Sequence, residues 1–593
     1  MDIEQARHKV GSDKIGSLKL RKYCQRRASA MLAEQNEWKD DWRQIADYID
    51  PTRGLFDGEG RNAGSKKRRR SRHRIINGAA AYCMRVAVAG MSSHMTSKSS
   101  PWFTLSTPDT ELANRQDVKA WLQECTELLR DTLAKSNFYK AMPVVYQEDM
   151  LFGVAAMMIA ESSDEVARFH PLTVGSYAIA VNGDGKADTL YRFYTWTVRQ
   201  IVDRFGKDGE NGRKEPDEGS MPKELCRQWK AGKMDQPWTL HALAEPNPEA
   251  RPGIGPLGVQ APQYRPYREV TWIEGAGSAD HGVLEVGGHY EAPFVAVRWN
   301  PVADDLYSSS PGQDSLGDVK QLQYLEGQKL RLIDMIADPP KSVPDTMQTI
   351  GVSLMPGATN YMPQSEAGAK VSPTYTPDYN AVTAVANEIE VVMGRISQSF
   401  FYNLFMMLDS LGDKSGRTAT EIAQRSEEKA AVLGPTLEIV TDEGLDPIVI
   451  RVYRMLERAG RIPPPPEIMA TAPIRIEYTS ILAQAMKAAG SVGIERTLTM
   501  IGQMAQANPD ALDKLDVDAA IDSYANKAGA PAEMIRDTDA VQAIRAQRAQ
   551  QAQMAQMAAM AQPMQQAAGA AKELASTVPQ EGSLAEAIMG GGA

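Results

Sequence analysis

Phosphate and metal chemistry requires residues at set spacings, and the sequence lacks the common patterns. A P-loop ends in Gly-Lys-Ser or Gly-Lys-Thr, but the Gly-Lys pairs that begin at Gly185, Gly206 and Gly232 are followed by Ala, Asp and Met. No HExxH or GxSxG stretch occurs, and the seven histidines form no ligand-like pair. The four cysteines lie far apart without a CxxC. The sequence therefore predicts a protein that is not an enzyme and that uses no cofactor and no metal.

One segment has oxygen-bearing side chains at the spacing of some calcium loops. It runs from Asn182 through Asp184 to Asp188, but Ala180 stands where such a loop wants its leading Asp. Asn-Gly and Asp-Gly between strand-like flanks are also a strong signal for a β-hairpin. We predict a hairpin here.

A run of positive charge follows the first predicted helix. Residues 61–74 contain eight Lys or Arg and no acid. Those proposed as a basic contact segment are Lys66, Lys67, Arg68, Arg69, Arg70, Arg72 and Arg74. Such a run can contact nucleic acid or an acidic neighbouring subunit, or it can be a solvated loop, and the sequence leaves both open.

The overall composition excludes several classes of protein. The chain has 593 residues, 43% of them hydrophobic and 24% charged, which is typical of an ordinary soluble protein. Its net charge of −10 argues against a protein that coats nucleic acid over its whole surface. The sparse cysteines favour a reducing compartment. No apolar run is long enough to predict a membrane span, and the N-terminus does not resemble a secretory signal.

The elements that would position any site are helices around a strand-rich middle. Apolar periodicity predicts helices over 16–50, 75–97 and 112–160, and Trp38 and Trp42 should pack on a larger body. Residues 165–300 read as short strands with a Gly/Pro-rich insertion near 205–265. The expected fold class is α+β and mainly helical.

Two long helices dominate the next part of the chain. Apolar residues recur at helical spacing from Pro311 to 337, where Asp338-Pro339-Pro340 ends the pattern, and again over 379–408. The Pro/Gly/Thr-rich stretch 338–378 separates them. The pair therefore predicts a helical hairpin that projects from the body and carries a compact insertion.

A third helix follows a short polar loop over 409–417. Thr418 can cap this helix, with Glu421 completing a capping box, and interruptions at Gly434-Pro435 and Asp446-Pro447 predict two kinks before the helix ends at Gly460. The C-terminal part is increasingly rich in Ala, Gln and Met from residue 541. Its thin apolar stripe indicates either a helix that needs neighbouring copies or a disordered tail, and the end of the chain should be disordered.

Several collinear segments resemble the portal, or head-to-tail connector, proteins of short-tailed bacteriophages. They are WKDDWRQIADYIDP from Trp38 to Pro51, AVAGMSSHMTSKSSPWFTL from Ala87 to Leu105, SSPG from Ser309 to Gly312, Pro339-Pro340, RTATEI from Arg417 to Ile422, Glu428 and Leu433-Gly-Pro435. No single motif is decisive, but their common order extends over about 38–460, most of the chain. Pro563 departs from the family pattern because it interrupts any long C-terminal barrel helix.

The resemblance implies a ring-forming protein with wing, stem, clip and crown regions. On this basis 1–310 would hold the N-terminal helices and wing, 311–337 and 379–408 the stem helices, and 338–378 the clip. The tunnel loop would be 409–417, the kinked wing helix 418–460, the crown 461–540, and a possible barrel and disordered end 541–593. The ring, usually a dodecamer, would sit at one capsid vertex of the virion.

The resemblance also implies partners and a set of channel residues. Double-stranded DNA would pass through the channel, driven by a separate terminase. Other partners would be the major capsid and scaffold proteins and a head-tail adaptor, with no membrane. Ring closure would point the tunnel loop inward, placing Asp409, Ser410, Leu411, Gly412, Asp413, Lys414, Ser415, Gly416 and Arg417 near DNA; otherwise this is an ordinary interhelical connection. Another virion component, such as a scaffold or capsid subunit, or a metal-dependent nuclease built from scattered carboxylates, remains an alternative.

Overall fold

The chain combines helices and antiparallel sheets, as the sequence predicts. The computed structural model describes residues 7–8, 14–51, 75–109, 112–113, 115–162, 165–209, 213–253, 260–274, 282–302, 305–342, 372–373, 378–410, 433–469, 472–479, 500–501, 518 and 541–555. The helices are α1 (Lys14–Tyr48), α2 (Ala79–His94), α3 (Gln116–Lys135), α4 (Phe138–Phe152), α5 (Val198–Phe205), α6 (Lys223–Lys230), α7 (Pro311–Ala337), α8 (Tyr379–Ser399), α9 (Tyr402–Ser410), α10 (433–439), α11 (Asp446–Arg458) and α12 (541–555). A π-helix, Val440–Leu445, joins α10 to α11, and 3₁₀ turns lie at Pro262–Tyr264 and Glu467–Met469.

The strands form one large sheet and several small ones. The strands are β1 (Arg7–His8), β2 (Phe103–Ser106), β3 (Val154–Ser162), β4 (Val166–Leu172), β5 (Tyr177–Val181), β6 (Ala187–Thr197), β7 (Lys207–Asp208), β8 (Lys214–Glu215), β9 (Pro237–Pro246), β10 (Tyr267–Ile273), β11 (Val283–His289), β12 (Phe294–Arg298), β13 (Lys341–Ser342), β14 (Ser372–Pro373) and β15 (Arg475–Tyr478). The six-stranded sheet has the order β1-β11-β10-β9-β6-β5, and a three-stranded sheet has the order β12-β3-β4. β2 with β15, β7 with β8 and β13 with β14 form separate antiparallel pairs.

The main core lies between the helices and the three-stranded sheet. It joins α2, α3, α4, the first half of α7 and the buried face of α11, including residues such as Val319 and Val452. Trp42 of α1 is buried there, its indole N–H donates to the Phe152 carbonyl at 3.1 Å, and its ring meets Tyr307 edge-on. The expected packing of the α1 tryptophans on a larger body is confirmed for Trp42 and for Trp38, which lies against the same cluster.

The predicted hairpin at 182–188 is confirmed. β5 pairs with β6, and the side-chain oxygen of Asn182 accepts hydrogen bonds from the backbone N–H groups of Asp184 (2.9 Å) and Lys186 (3.0 Å). The Asn therefore stabilises the turn itself. Among the described residues no group of three or more His, Cys, Asp or Glu side chains is placed to hold a metal ion, and no helix could span a membrane. The four cysteines are buried and free.

The predicted helix over 112–160 is wrong in its last part. α3 and α4 occupy 116–152, but Val154–Ser162 is the strand β3. Gly153 ends α4 with a left-handed φ of +72°, a conformation that strongly favours glycine. The apolar run from Val154 to Ile159 is fully buried in the middle of a three-stranded sheet, so it has no alternating pattern to mark it as a strand.

Candidate functional site: the helical hairpin

The predicted hairpin of two long helices is present. α7 and α8 run antiparallel, since Asp318 of α7 pairs with Arg395 of α8 at 3.2 Å while Gln321 contacts Glu388 at 3.4 Å. The buried side chains between them come from both helices and are Val319, Leu322, Ile389, Val392 and Ile396. The first residues of the connecting segment pair with the last, Lys341–Ser342 against Ser372–Pro373. The insertion therefore leaves and returns at one place.

The base of α7 is attached to the end of α4. Ser310 caps α7 by accepting from the Gln313 N–H at 3.1 Å, and its hydroxyl donates to the Leu151 carbonyl at 2.8 Å. Gly312 lies so close that a Cβ there would stand 2.4 Å from the Leu151 carbonyl oxygen. Both contacts are to main chain, so the helix start can move little without moving α4.

A second anchor lies three turns along α7. The buried Gln323 side chain accepts from the N–H groups of Ile76 (2.7 Å) and Asn77 (3.0 Å) and donates to the Asn77 carbonyl (2.7 Å). Asn77 also donates to Glu326 at 2.8 Å. These bonds satisfy the backbone of the segment that enters α2 and fix it against the hairpin.

The outer half of the hairpin is apolar and exposed. On α7, Leu330 is 48% exposed and Ile333 43% exposed, with Met335 and Ile336 also exposed. At the outer end of α8, Tyr379 is 74% exposed, while the exposed Val391 and Met393 lie nearer the base, level with Asp318 and Gln321. Several adjoining exposed apolar side chains on a projecting pair of helices are typical of a surface covered by another protein molecule.

The second helix is shorter than the predicted 379–408. α8 ends at Ser399, Phe401 has φ of +54°, and α9 begins at Tyr402. The break directs Phe405 onto α2, where a Cβ on Gly90 would lie 2.3 Å from its ring. Phe400 is buried at the corner. The helix thus breaks to pack against α2, although the apolar spacing continues. The sequence alone could not show this break.

The second predicted kink of the third helix takes the form of the π-helix 440–445. Pro447 lacks the N–H that a continuous α-helix would use, and the wider turn presents Glu443 to Arg298, which donates to it through its backbone N–H (3.1 Å) and its guanidinium. Lys186, at the β5–β6 turn, pairs with Asp442 at 3.2 Å. Charge pairs therefore join the π-helix to strand β12 and to the β5–β6 turn.

A buried acid lies beside this junction. Asp149 of α4 is 1% exposed, and neither carboxylate oxygen has a hydrogen-bond partner among the described residues. Burial, with a smaller contribution from the negative charge of Glu443, raises the pKa of Asp149 well above its ordinary value. The side chain is therefore held in its neutral form more readily than an exposed aspartate.

A family model for bacteriophage head to tail connecting proteins matches residues 21–535 of the 593. The chain belongs to this family. The resemblance to head-to-tail connector proteins seen in the sequence is thereby confirmed. The match includes most of α1, strands β2 to β15 and the helical hairpin.

Two curated relatives resemble this connector over nearly their full length. The portal protein of Salmonella phage epsilon15 is 34% identical over 511 residues, which is 86% of this chain and 87% of that protein. The probable portal protein of Bordetella phage BPP-1 is 33% identical over 520 residues, 87% of this chain and 88% of that protein. A chain from the virion of a native gene transfer agent particle aligns with 77% of this chain and 89% of its own, at 12% identity and a TM-score of 0.29.

Most of the predicted contact residues of the connector lie outside the described residues. Of the tunnel-loop set, Asp409 and Ser410 form the end of α9, and residues 411–417 are outside. The basic segment 61–74, including every residue proposed from Lys66 to Arg74, is also outside. Both sets therefore remain predictions.

Sequence reasoning missed the anchors of the hairpin. Ser310 before Pro311 had a usable signal, because Ser at the N-cap followed by Pro at the first helical position is a typical helix start. Gln323 had none, since a single Gln on a helix is usually exposed. The contact of Gly312 with Leu151 likewise depends on tertiary packing.

Proposed function

We propose that this connector subunit assembles into a ring-shaped channel at one capsid vertex, through which double-stranded DNA enters during packaging and leaves during ejection. The observation that carries the proposal is the alignment with two portal proteins over more than four-fifths of each chain. The same relatives support a structural rather than a catalytic role.

The exposed apolar side chains of the hairpin support ring closure. A monomer would leave Leu330, Ile333 and Val391 in water, whereas neighbouring subunits can cover them. In the proposed ring, a dodecamer, α7 and α8 are the stem, and residues 338–378 between them are the clip. The clip binds terminase during packaging and the head-tail adaptor afterwards, while the wing, within 1–310, faces capsid and scaffold proteins.

The remaining regions take their proposed roles from their order along the chain. The kinked wing helix extends through α10, the π-helix and α11, and its charge pairs to Arg298 and Lys186 hold it against the wing. Residues 461–540 form the crown, and 541–593 a possible barrel of which α12 is one part. In this arrangement the tunnel loop 409–417 narrows the channel and meets phosphates through Lys414 and Arg417.

Net negative charge suits such a channel. DNA that is pulled through must break each phosphate contact at every step, so a surface that bound phosphates tightly would resist transport. A chain with net charge −10 and only a few cations near the axis would impose little resistance.

Imaging of the purified full-length protein tests the proposal. We expect top views to show closed rings with a central hole, and the mass in solution to be a multiple of 64.9 kDa. A monomer that persists at every salt concentration, and in the presence of scaffold protein, would contradict ring formation. Side views would also contradict it if α7 and α8 lay on the outer rim.

The tunnel-loop assignment has its own test. Replacing Lys414 by Ala should leave rings intact and change DNA retention equally for all sequences, because phosphate contacts carry no base information. A matched change at Lys230, which lies in the wing and pairs with Glu218, should leave retention unchanged. Equal effects of the two changes would refute a special role for the loop.

A further inference from the structure

A cavity of about 590 Å³ is lined by residues between Met158 and Pro293, before the helical hairpin in the sequence. It opens between the six-stranded sheet and the β3–β4 edge of the three-stranded sheet, with α5 at one side. We call it the sheet pocket. Its size lies within the range of about 300–1,000 Å³ that is usual for ligand sites.

The pocket occupies the face of the large sheet that α1 does not cover. On the opposite face, Tyr191, Val270 and Trp272 pack on Met31 and its neighbours in α1. Alternate residues point to the pocket, because side chains along a strand alternate between faces. These residues are Arg192, Tyr194 and Trp196 of β6, Glu269 and Thr271 of β10, and Glu285, Gly287 and His289 of β11.

Small side chains give the pocket its depth. In the strand register Ala242 lies between Arg192 and Thr271. Glu269 in turn lies between Ala244 and Gly287. The strands on either side of β10, β9 and β11, thus carry Ala or Gly where a larger residue would fill the space. A Cβ on Gly287 would meet nothing closer than 3.8 Å, so this position is open.

The floor of the pocket is a fixed polar cluster. Glu269 accepts from Arg192 at 3.0 Å and lies 3.2 Å from the His289 Nε2. Burial opposes its ionisation, but hydrogen bonding to His289 and the positive charge of Arg192 prevail and lower the pKa of Glu269 to about 2. Its charge is therefore already matched within the pocket.

The wall and rim carry aromatic rings and the arginines Arg204 and Arg265, and Glu285 also lines the pocket. Trp196 packs edge-on against Tyr194 and stacks on Phe205 at 6.0 Å. Arg204, at the end of α5, is exposed, and Arg265 donates only to the carbonyls of Gln260 and Gly288. Neither forms an ion pair with a carboxylate among the described residues, whereas Glu161 at the same pocket is paired with Arg458 at 2.9 Å.

From this combination we infer that the sheet pocket docks a peptide segment of a partner protein in which an aromatic side chain is flanked by Asp or Glu. The aromatic side chain fills the space beside Trp196 and Phe205, and the flanking carboxylates meet Arg204 and Arg265 at the rim. Stacking and charge-assisted hydrogen bonds are the interactions that such a segment offers. The chain carries a net charge of −10, so its overall charge repels an acidic partner. The attraction therefore comes only from the arginines at the rim of the pocket.

The pocket is formed within one chain and uses none of the hairpin residues. Peptide binding should therefore be seen with monomers and with rings. Its test is independent of the test of the proposed channel.

Fluorescence anisotropy with labelled synthetic peptides tests the inference on the full chain. The probe is Gly-Asp-Glu-Trp-Asp-Glu-Gly, and two controls replace its acids by Lys or its Trp by Ser. We expect binding of the probe and loss of binding for both controls. No binding of the probe at about 1 mM, the limit of a weak contact, overturns the inference.

Two arginines on the same helix give a matched pair of variants. Arg204 lies at the pocket, whereas Arg199, also exposed on α5, is not part of its lining. Arg204→Glu should weaken binding about tenfold at low salt and less at high salt, since a rim charge acts through a screened field. Arg199→Glu should leave affinity unchanged. Equal affinities for the two variants overturn the inference.

A third variant tests whether the peptide enters the pocket. Gly287→Leu places a side chain in the open space and should abolish binding while circular dichroism remains that of the native chain. Retained binding by this folded variant overturns the inference. The inference is also overturned if a single-stranded oligonucleotide displaces the peptide and binds more weakly to the Arg204→Glu variant. The pocket would then recognise nucleic acid.

Discussion

The two halves of α7 have the same secondary structure but opposite surroundings. Its first half is held by main-chain contacts to Leu151 and by the buried Gln323, so it belongs to the core of the subunit. Its outer half exposes Leu330 and Ile333 and packs chiefly on α8. The difference teaches that one helix can serve folding at its base and assembly at its tip. Changes at the two ends should therefore have separable effects.

The largest expected effect is on assembly. Replacing Leu330 and Ile333 together by Asp should abolish rings while the subunit keeps its native unfolding transition, because the charges would be buried without partners in the interface. Analytical ultracentrifugation with thermal unfolding would measure both. Met234→Asp, at a similarly exposed apolar residue outside the hairpin, is the control. Intact rings from the double variant would show that the tip is not an interface.

The next effect is on folding at the base. Gly312→Ala should lower the free energy of unfolding by about 3 kcal/mol, since its Cβ would overlap main chain that cannot move aside. Gly317→Ala is the matched control: it lies on the same helix with no atom within 4 Å of its Cβ position and should stabilise by about 0.5–1 kcal/mol. Urea titration measures both. Similar values for the two variants would mean that the contact of Gly312 with Leu151 does not fix the base of the helix.

A smaller effect is expected at the second anchor. Gln323→Leu leaves the N–H groups of Ile76 and Asn77 without their acceptor and should cost about 2 kcal/mol. Gln321→Leu, on the less buried side of the same helix, should cost less than about 0.5 kcal/mol. Hydrogen exchange at Ile76 and Asn77 would show whether protection is lost only in the first variant, and equal protection in both would contradict the anchor.

The smallest effect should come from the ion pair across the hairpin. Arg395 and Asp318 are partly exposed, and such pairs contribute only about 0–1 kcal/mol. Arg395→Ala should therefore change the unfolding midpoint little and leave ring assembly intact at all salt concentrations. A large loss of stability would mean that α8 depends on this charge pair rather than on Val392 and Ile396.

The sequence predicted what local periodicity and turn chemistry determine. The bounds of α7 follow from the apolar spacing that begins at Pro311 and from Asp338-Pro339-Pro340, and the β5–β6 turn follows from Asn182-Gly. It missed β3 because a strand buried on both faces has no alternating pattern. It missed the break at Phe401 because the reason lies in α2, which is far along the chain. A kink near Pro447 was predicted, but no sequence signal indicated the π-helical turn that precedes it.

In the candidate site, too, the features set by local sequence were predicted and those set by tertiary packing were not. The family and its connector function were predicted from collinear motifs, and the helices of the hairpin from spacing. The tunnel loop 409–417 and the basic segment 61–74 remain predictions. The sheet pocket was not predicted, because its members come from five strands and a helix that are brought together only in the folded chain.

Asp149 has a consequence for the proton balance of folding. In the folded chain its carboxyl keeps its proton to a higher pH than in the unfolded chain, where it titrates near about 3.9. Between that pH and the folded pKa, folding is thus accompanied by proton uptake at this residue, and its contribution to stability is complete in acid and declines as pH rises through that window. Asp149→Asn, which cannot release a proton, should flatten this dependence, so the connector carries within its core a preference for mildly acidic surroundings.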